Sequence, residues 1–139
     1  WSVTSYNELS REALSVERSN LLHGQKEAPY VRRALENESG VFVAASDYMK
    51  ALPMSIARWI PGPFVALGTD GYGLSESRPD LRDWFEVSAE YVAYAAMAAL
   101  AESGLIKPKQ LKACEQAWDI RPDKPNPAYA GPAQAADRS

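Results

Sequence analysis

The sequence predicts an α/β domain, a three-layer αβα sandwich on a mostly parallel sheet. Val41-Phe42-Val43-Ala44-Ala45 and Phe64-Val65-Ala66-Leu67 are continuous apolar runs of strand length without polar alternation. That is the pattern of strands covered on both faces in a parallel sheet. Between them Met49, Leu52, Ile56, Trp59 and Ile60 recur at helical spacing. Strand, helix, strand with short connections is a βαβ unit, expected to cross over right-handed. The 139 residues, 46% hydrophobic and 24% charged, suffice for one domain with a real core.

The other elements follow in chain order. Trp1-Ser2-Val3-Thr4-Ser5 alternates and is β-branched enough to read as a strand. Ser5-x-x-Glu8 has the form of a capping box and opens a helix to about Leu22, with Leu9, Ala13 and Val16 on its apolar face and Gly24 as its stop. A short helix starts near Pro29 and carries Val31 and Leu35 inward. The helix between the two apolar runs is kinked or restarted at Pro53 and ended by Pro61-Gly62-Pro63. Ser77 caps a helix through Trp84, and Phe85-Glu86-Val87 reads as a short strand. Ser88 caps a long helix, Ala89 to about Ser103, stopped by Gly104. With Tyr91, Val92, Ala95, Ala96, Ala99 and Leu100 it is apolar nearly all round, so burial between the sheet and another domain or subunit is expected. Lys107 to Trp118 forms a final amphipathic helix. The chain thus divides into a domain over 1–118 and an extended or mobile tail over 119–139, marked by Pro122, Pro125, Pro127 and Pro132.

Composition excludes several classes of function. Fifteen Lys+Arg against 18 Asp+Glu give a net charge of −3, the wrong balance for gripping a phosphate backbone, so nucleic acid is not an expected partner. No run approaches the ~20 apolar residues of a membrane span. Cys114 alone makes no internal disulfide, and no charged-then-apolar leader is present, so the cytoplasm is the expected compartment. The chain opens on Trp1 rather than methionine, as expected of a processed product or fragment. One His and one Cys cannot complete a zinc tetrahedron, and no carboxylates stand at calcium-loop spacing. His23 reads as a helix C-terminal residue. A Cys114–His23 nucleophile pair has no local signature. Asn37-Glu38-Ser39 matches the glycosylation pattern by coincidence.

One region carries a functional expectation. Gly68-Thr69-Asp70-Gly71-Tyr72-Gly73 follows the second strand but has neither the dinucleotide fingerprint nor a P-loop lysine. Its glycines suit a tight turn. Ligands of parallel α/β sheets bind at the carboxyl ends of strands. Three such exits carry polar groups: Thr4-Ser5-Tyr6, Ser46-Asp47-Tyr48 and Thr69-Asp70-Gly71-Tyr72. If the strands are parallel these loops share one edge, which meets either another domain or subunit or a small ligand. With no convincing base or nucleophile there, Ser46, Asp47, Tyr48, Thr69, Asp70, Tyr72 and Ser75 are candidate interface residues, and no catalytic, cofactor or metal residue is assigned. Trp59, Tyr72, Trp84, Tyr91 and Tyr94 suit core and interface packing.

Six separated segments resemble the C-terminal domain of homodimeric bacterial pyruvate dehydrogenase, the decarboxylating component. They are Trp1-Ser2-Val3-Thr4-Ser5-Tyr6-Asn7-Glu8-Leu9, Val16-Glu17-Arg18-Ser19-Asn20-Leu21-Leu22-His23, Ala44-Ala45-Ser46-Asp47-Tyr48-Met49-Lys50, Leu67-Gly68-Thr69-Asp70-Gly71-Tyr72-Gly73, Trp84-Phe85-Glu86-Val87 and Asp123-Lys124-Pro125-Asn126-Pro127. They stand in the family's order and spacing and cover about residues 1 to 130. Asp70 to Ser75 also resembles the wider transketolase C-terminal domain. The family has Trp at Ser19, Pro at Gly24, and commonly a basic residue and an Asp at Leu74 and Glu76.

The resemblance implies a transketolase C-terminal-like fold lacking its first strand and helix. It implies a thiamin diphosphate and Mg²⁺ enzyme that decarboxylates pyruvate and passes the two-carbon unit to lipoyl groups of the dihydrolipoyl acetyltransferase. In that family the cofactor lies between the two preceding domains, and its Gly-Asp-Gly signature is absent from these residues. The segment is therefore expected to bind no cofactor alone and to serve assembly with the thiamin-binding domains and a second subunit. Two rivals are a divergent transketolase-like enzyme with another donor and a non-catalytic module docking the complex core.

Overall fold

The computed structural model describes residues 1–131. Its helices are α1 (Tyr6–His23), α2 (Tyr30–Ala34), α3 (Ala51–Met54) with a 3-10 turn at Ala57–Trp59, α4 (Arg78–Trp84), α5 (Ala89–Glu102) and α6 (Pro108–Ala117). Strands β1 (Phe42–Ala45) and β2 (Phe64–Leu67) pair in parallel, with Phe42 opposite Phe64 and Ala45 opposite Leu67. This is the predicted βαβ unit, with α3 and the 3-10 turn as its crossover.

One face of the sheet completes the core. Ala13 of α1, Val31 of α2, and Ile56, Trp59 and Ile60 of the crossover are buried together, with Tyr6, Leu9, Leu35, Phe42 and Phe64 packed around them. Side chains alternate along a strand, so Val43 and Val65 face away from that cluster. Helix α5 lies along both strands and against α6. The sheet is thus a thin middle layer between α1–α3 and α5.

Polar side chains of α1 fix the segments around it. Glu12 accepts the Tyr30 backbone N–H at 3.0 Å, capping α2 where Pro29 offers no side-chain acceptor. Asn20 accepts from the Glu27 N–H at 3.0 Å and donates to the Glu27 carbonyl at 2.9 Å, tying down the loop past Gly24. Glu17 accepts from the indole of Trp59 at 2.9 Å and pairs with Arg58 at 2.6 Å. A buried indole N–H would otherwise lack a partner.

Several expectations fail for identifiable reasons. Residues 1–5 form no strand: a strand needs a neighbour for its ladder, and Trp1, Ser2 and Val3 face β1 across a cleft of about 540 Å³. Ser5 instead caps α1 by accepting the Glu8 N–H at 3.3 Å, while the Glu8 carboxylate pairs with Arg11 at 2.9 Å. Phe85–Val87 is a helix stop rather than a strand. Glu86 sits at φ 60, and the Val87 N–H donates to the Arg82 carbonyl at 2.9 Å, closing a Schellman motif without a glycine. Asp119, at φ 50, ends α6 the same way, with the Ile120 N–H on the Glu115 carbonyl at 2.9 Å.

Helix α5 is less covered than its composition suggested. Tyr91 and Ala99 are buried and most of its other residues are half-buried, because the two strands and α6 shield only part of its circumference. Over 119–131 the chain does not extend: Ile120 is buried, and turns at Arg121–Lys124 and Asn126–Ala130 fold it back on α4 and α5. Pro132 and the rest of the expected tail lie outside the described residues.

These burials rank substitutions on α5. Ala99→Glu should cost about 3–5 kcal/mol, as an unpaired buried charge does, whereas Ala96→Glu, at a half-buried position, should cost less than half of that. Denaturant melts of the two variants check the order.

Candidate functional site

The parallel register sends β1 and β2 out at the same edge, so residues 46–50 and 68–72 leave the sheet side by side. The Ser46 N–H still donates to the Leu67 carbonyl at 3.1 Å, extending the ladder by one rung. Beyond it the exits are laced together. The Thr69 N–H donates to the Tyr48 carbonyl at 3.0 Å, and the Thr69 hydroxyl donates to the Asp47 carbonyl at 2.5 Å. Asp70 Oδ1 accepts from the Lys50 N–H at 2.9 Å, which caps the start of α3 from across the crossover. Ser46 Oγ accepts from the Tyr48 N–H at 3.0 Å and tightens the first exit.

Gly68 makes this lacing possible. It is buried, and a Cβ there would stand 2.5 Å from the Tyr48 carbonyl oxygen and 2.8 Å from the Lys50 nitrogen. The two backbones touch through the missing side chain.

The edge they form is an exposed aromatic surface beside a shallow cleft. Tyr48 is 72% exposed and Tyr72 is 93% exposed, with Met49 and Met54 also open to solvent. Asp47, Thr69, Tyr72, Leu74 and Glu76 line one side of a cleft of about 350 Å³, and α4 closes the other with Arg78 and Arg82. Of the seven candidate residues, six are thus brought to one edge by the sheet and the lacing. Ser75 is exposed in the loop that follows, away from the cleft lining. Thr4-Ser5-Tyr6, the third expected exit, does not join them, because residues 1–5 are not in the sheet.

Asp70 and Thr69 are committed to backbone partners, and the Ser77 hydroxyl, which donates to the Asp80 carboxylate, is engaged as the cap of α4, its oxygen accepting the Asp80 N–H. His23 ends α1 and Cys114 is half-buried in α6, with no hydrogen bond between them. Among the described residues no three His, Cys, Asp or Glu side chains gather to hold a metal ion, and no helix is long and apolar enough to cross a membrane.

Behind the loop lies a residue whose setting no sequence pattern announced. The Lys124 side chain is 3% exposed. Its Nζ donates to the Asp83 and Trp84 carbonyls at 2.6 and 2.9 Å, sits 3.5 Å from a Glu86 carboxylate oxygen, and lies 4.6 Å from the centre of the Tyr91 ring. It is an ammonium at a helix C-terminus, where the dipole favours a cation. Burial pushes its pKa down, against the pull of Glu86 and Asp83. Burial, with the same carboxylates, pushes the Tyr91 phenol up. The only sequence hint was the Asp123-Lys124-Pro125-Asn126-Pro127 segment of the resemblance.

A three-layered fold around one βαβ unit with a laced carboxyl edge is the setting in which the comparisons with known proteins fall. Residues 1–88 match the family described as the transketolase-like TK C-terminal domain, and the chain belongs to that family. Within it, the chain is similar to proteins named pyruvate dehydrogenase E1 component. It is 41% identical to that of Mycobacterium tuberculosis over 99% of this chain and 14% of the relative. It is 45% identical to that of Pseudomonas aeruginosa over 91% and 15%, and 38% identical to that of Escherichia coli K12 over 94% and 15%. The chain therefore spans about one-seventh of the length of these relatives.

The lacing makes its own prediction. Gly68→Ala should lower stability by about 1–3 kcal/mol by forcing the two exits apart. Asp70→Ala should cost a similar about 1–3 kcal/mol by stranding the Lys50 N–H, and Asp70→Asn, which keeps an acceptor, clearly less. Chemical denaturation of the three variants is the check; equal losses for Ala and Asn would show that Asp70 does not cap α3.

Proposed function

We propose that the chain is the C-terminal assembly domain of a thiamin diphosphate-dependent pyruvate dehydrogenase, with residues 1–118 as the α/β body and 119–139 as its C-terminal segment. The parent enzyme would decarboxylate pyruvate and transfer the acetyl unit to lipoyl groups of a dihydrolipoyl acetyltransferase. Cofactor and Mg²⁺ would be held by the preceding domains, where the cofactor supplies the electron sink. This chain's residues would contribute no reacting group and would be inactive alone. The enzyme would work as a homodimer in a multienzyme complex in the cytoplasm.

The observation that carries the reading is the edge at Tyr48 and Tyr72. Two aromatic side chains stand in solvent on the strand exits: Tyr48, whose carbonyl accepts the Thr69 N–H, and Tyr72, two residues past the Asp70–Lys50 hydrogen bond. Exposed aromatics are what interfaces use, and Thr69 and Asp70 at this edge are taken up by backbone partners. Ser46, Asp47, Tyr48, Thr69, Asp70, Tyr72 and Ser75 would then meet the thiamin-binding domains or the second subunit. Similarity to E1 components along almost the whole chain supports the pyruvate reading over a transketolase-like donor.

The test is made on the intact natural polypeptide that carries these residues. Pyruvate-dependent reduction of an artificial electron acceptor is expected to require thiamin diphosphate and Mg²⁺. Tyr72→Asp and Tyr48→Asp should weaken subunit or domain association, read by sedimentation, and lower turnover while leaving the melt of this domain unchanged. Cofactor binding without turnover of pyruvate would shift the reading to another donor, and normal assembly of both variants would remove the edge from the interface.

A further inference from the structure

The chain past α6 is tied at two points, and the two ties are connected. At the first, Lys124 enters the junction of α4 and α5. Its ammonium takes the Asp83 and Trp84 carbonyls, with Glu86 and the Tyr91 ring beside it. Arg121 pairs with Asp83 on the outside of the same junction. Three residues after Lys124, the backbone reaches the glycine-rich loop. A Cβ on Gly71 would stand 2.7 Å from the Pro127 carbonyl oxygen and 3.2 Å from the Ala128 Cα. Gly71 itself is at φ +94, a conformation that L side chains rarely adopt.

Between the ties the chain has little slack. Pro125 and Pro127 restrict the backbone on either side of Asn126. Asn126 then closes a turn, its carbonyl accepting from the Tyr129 and Ala130 N–H groups at 3.0 Å and its side chain from Ala128 N–H at 2.9 Å. The Gly71–Gly73 loop, by contrast, has the exposed Tyr72 between its glycines.

We propose that residues 119–131 are a strap, keyed by Lys124 into the α4–α5 junction, that clamps the Gly71 loop and so fixes the position of Tyr72. The strap works within the chain and does not depend on what Tyr72 meets. Releasing Lys124 should free residues 124–130, and with them the loop they cover. Pushing from the other end, by adding a side chain to Gly71, should lift Pro127 and Ala128.

Amide hydrogen exchange by mass spectrometry on the intact polypeptide tests this. Lys124→Met keeps the aliphatic stem and removes the ammonium. Exchange in peptides covering 119–131 and in peptides covering 69–75 should both rise about tenfold or more, as the loss of charge-assisted hydrogen bonds implies. Peptides of α1 and β1 should not change, which controls for the fold. A rise at 119–131 with none at 69–75 would overturn the proposal, as would no rise at either. Should Lys124→Met fail to fold, Gly71→Ala reads the same coupling from the loop: faster exchange at 124–130 supports the strap, and unchanged exchange there overturns it. Failure of the assembly reading would show in sedimentation and leave this exchange pattern untouched.

Discussion

Four-residue strands paired in parallel are the constraint on which the rest of this chain depends. Parallel pairing forces a crossover, and the crossover supplies Ile56, Trp59 and Ile60 to the core. It also sends both strands out at one edge, which an antiparallel pair would not do. Once there, the exits approach so closely that a Cβ at position 68 would press on the Tyr48 carbonyl and the Lys50 nitrogen. The hydrogen bonds of Thr69 and Asp70 then hold the crossover's first turn against the second exit. Core, crossover and exposed edge are thus built on one βαβ unit.

Helix α1 plays the complementary role on the core side. Its apolar stripe reaches the core through Leu9 and Ala13, and its polar residues Glu12, Glu17 and Asn20 each hold a different neighbouring segment. Each bond is individually modest, about 1 kcal/mol net. Together they orient α2 and the 3-10 turn over a sheet too small to do so by area alone. The far end of the chain uses the same device, with Lys124 satisfying the last carbonyls of α4.

The parts of this architecture legible in the sequence were those written in period and punctuation. Apolar runs at 41–45 and 64–67, helical spacing between them, and caps at Ser5, Ser77 and Ser88 all correspond to observed elements. The candidate edge was legible too, because a parallel sheet places its exits together. What was not legible lay in conformations that the residue type disguises. Glu86 and Asp119 occupy left-handed positions usually given to glycine, so a helix stop at Phe85–Val87 read as a strand. Val3 and Thr4 have strand character but no neighbour to pair with. The burial of Lys124 depends on a chain reversal about forty residues away from its partners, and no local pattern encodes that. Proline at 122, 125 and 127 read as extension, while the side chains between them fold the segment back.

The account holds that the laced exits present Tyr72 as a fixed contact surface in a larger protein. Site-specific photo-crosslinking in the intact polypeptide tests that claim directly, with a benzophenone side chain at position 72 and, for comparison, at the exposed Leu21 of α1. The account predicts that position 72 crosslinks to residues outside this segment, on the same polypeptide or a second subunit, and does so more efficiently than position 21. Crosslinks from position 21 alone, with position 72 reacting only with solvent, would contradict it and move the assembly surface to the outer face of α1.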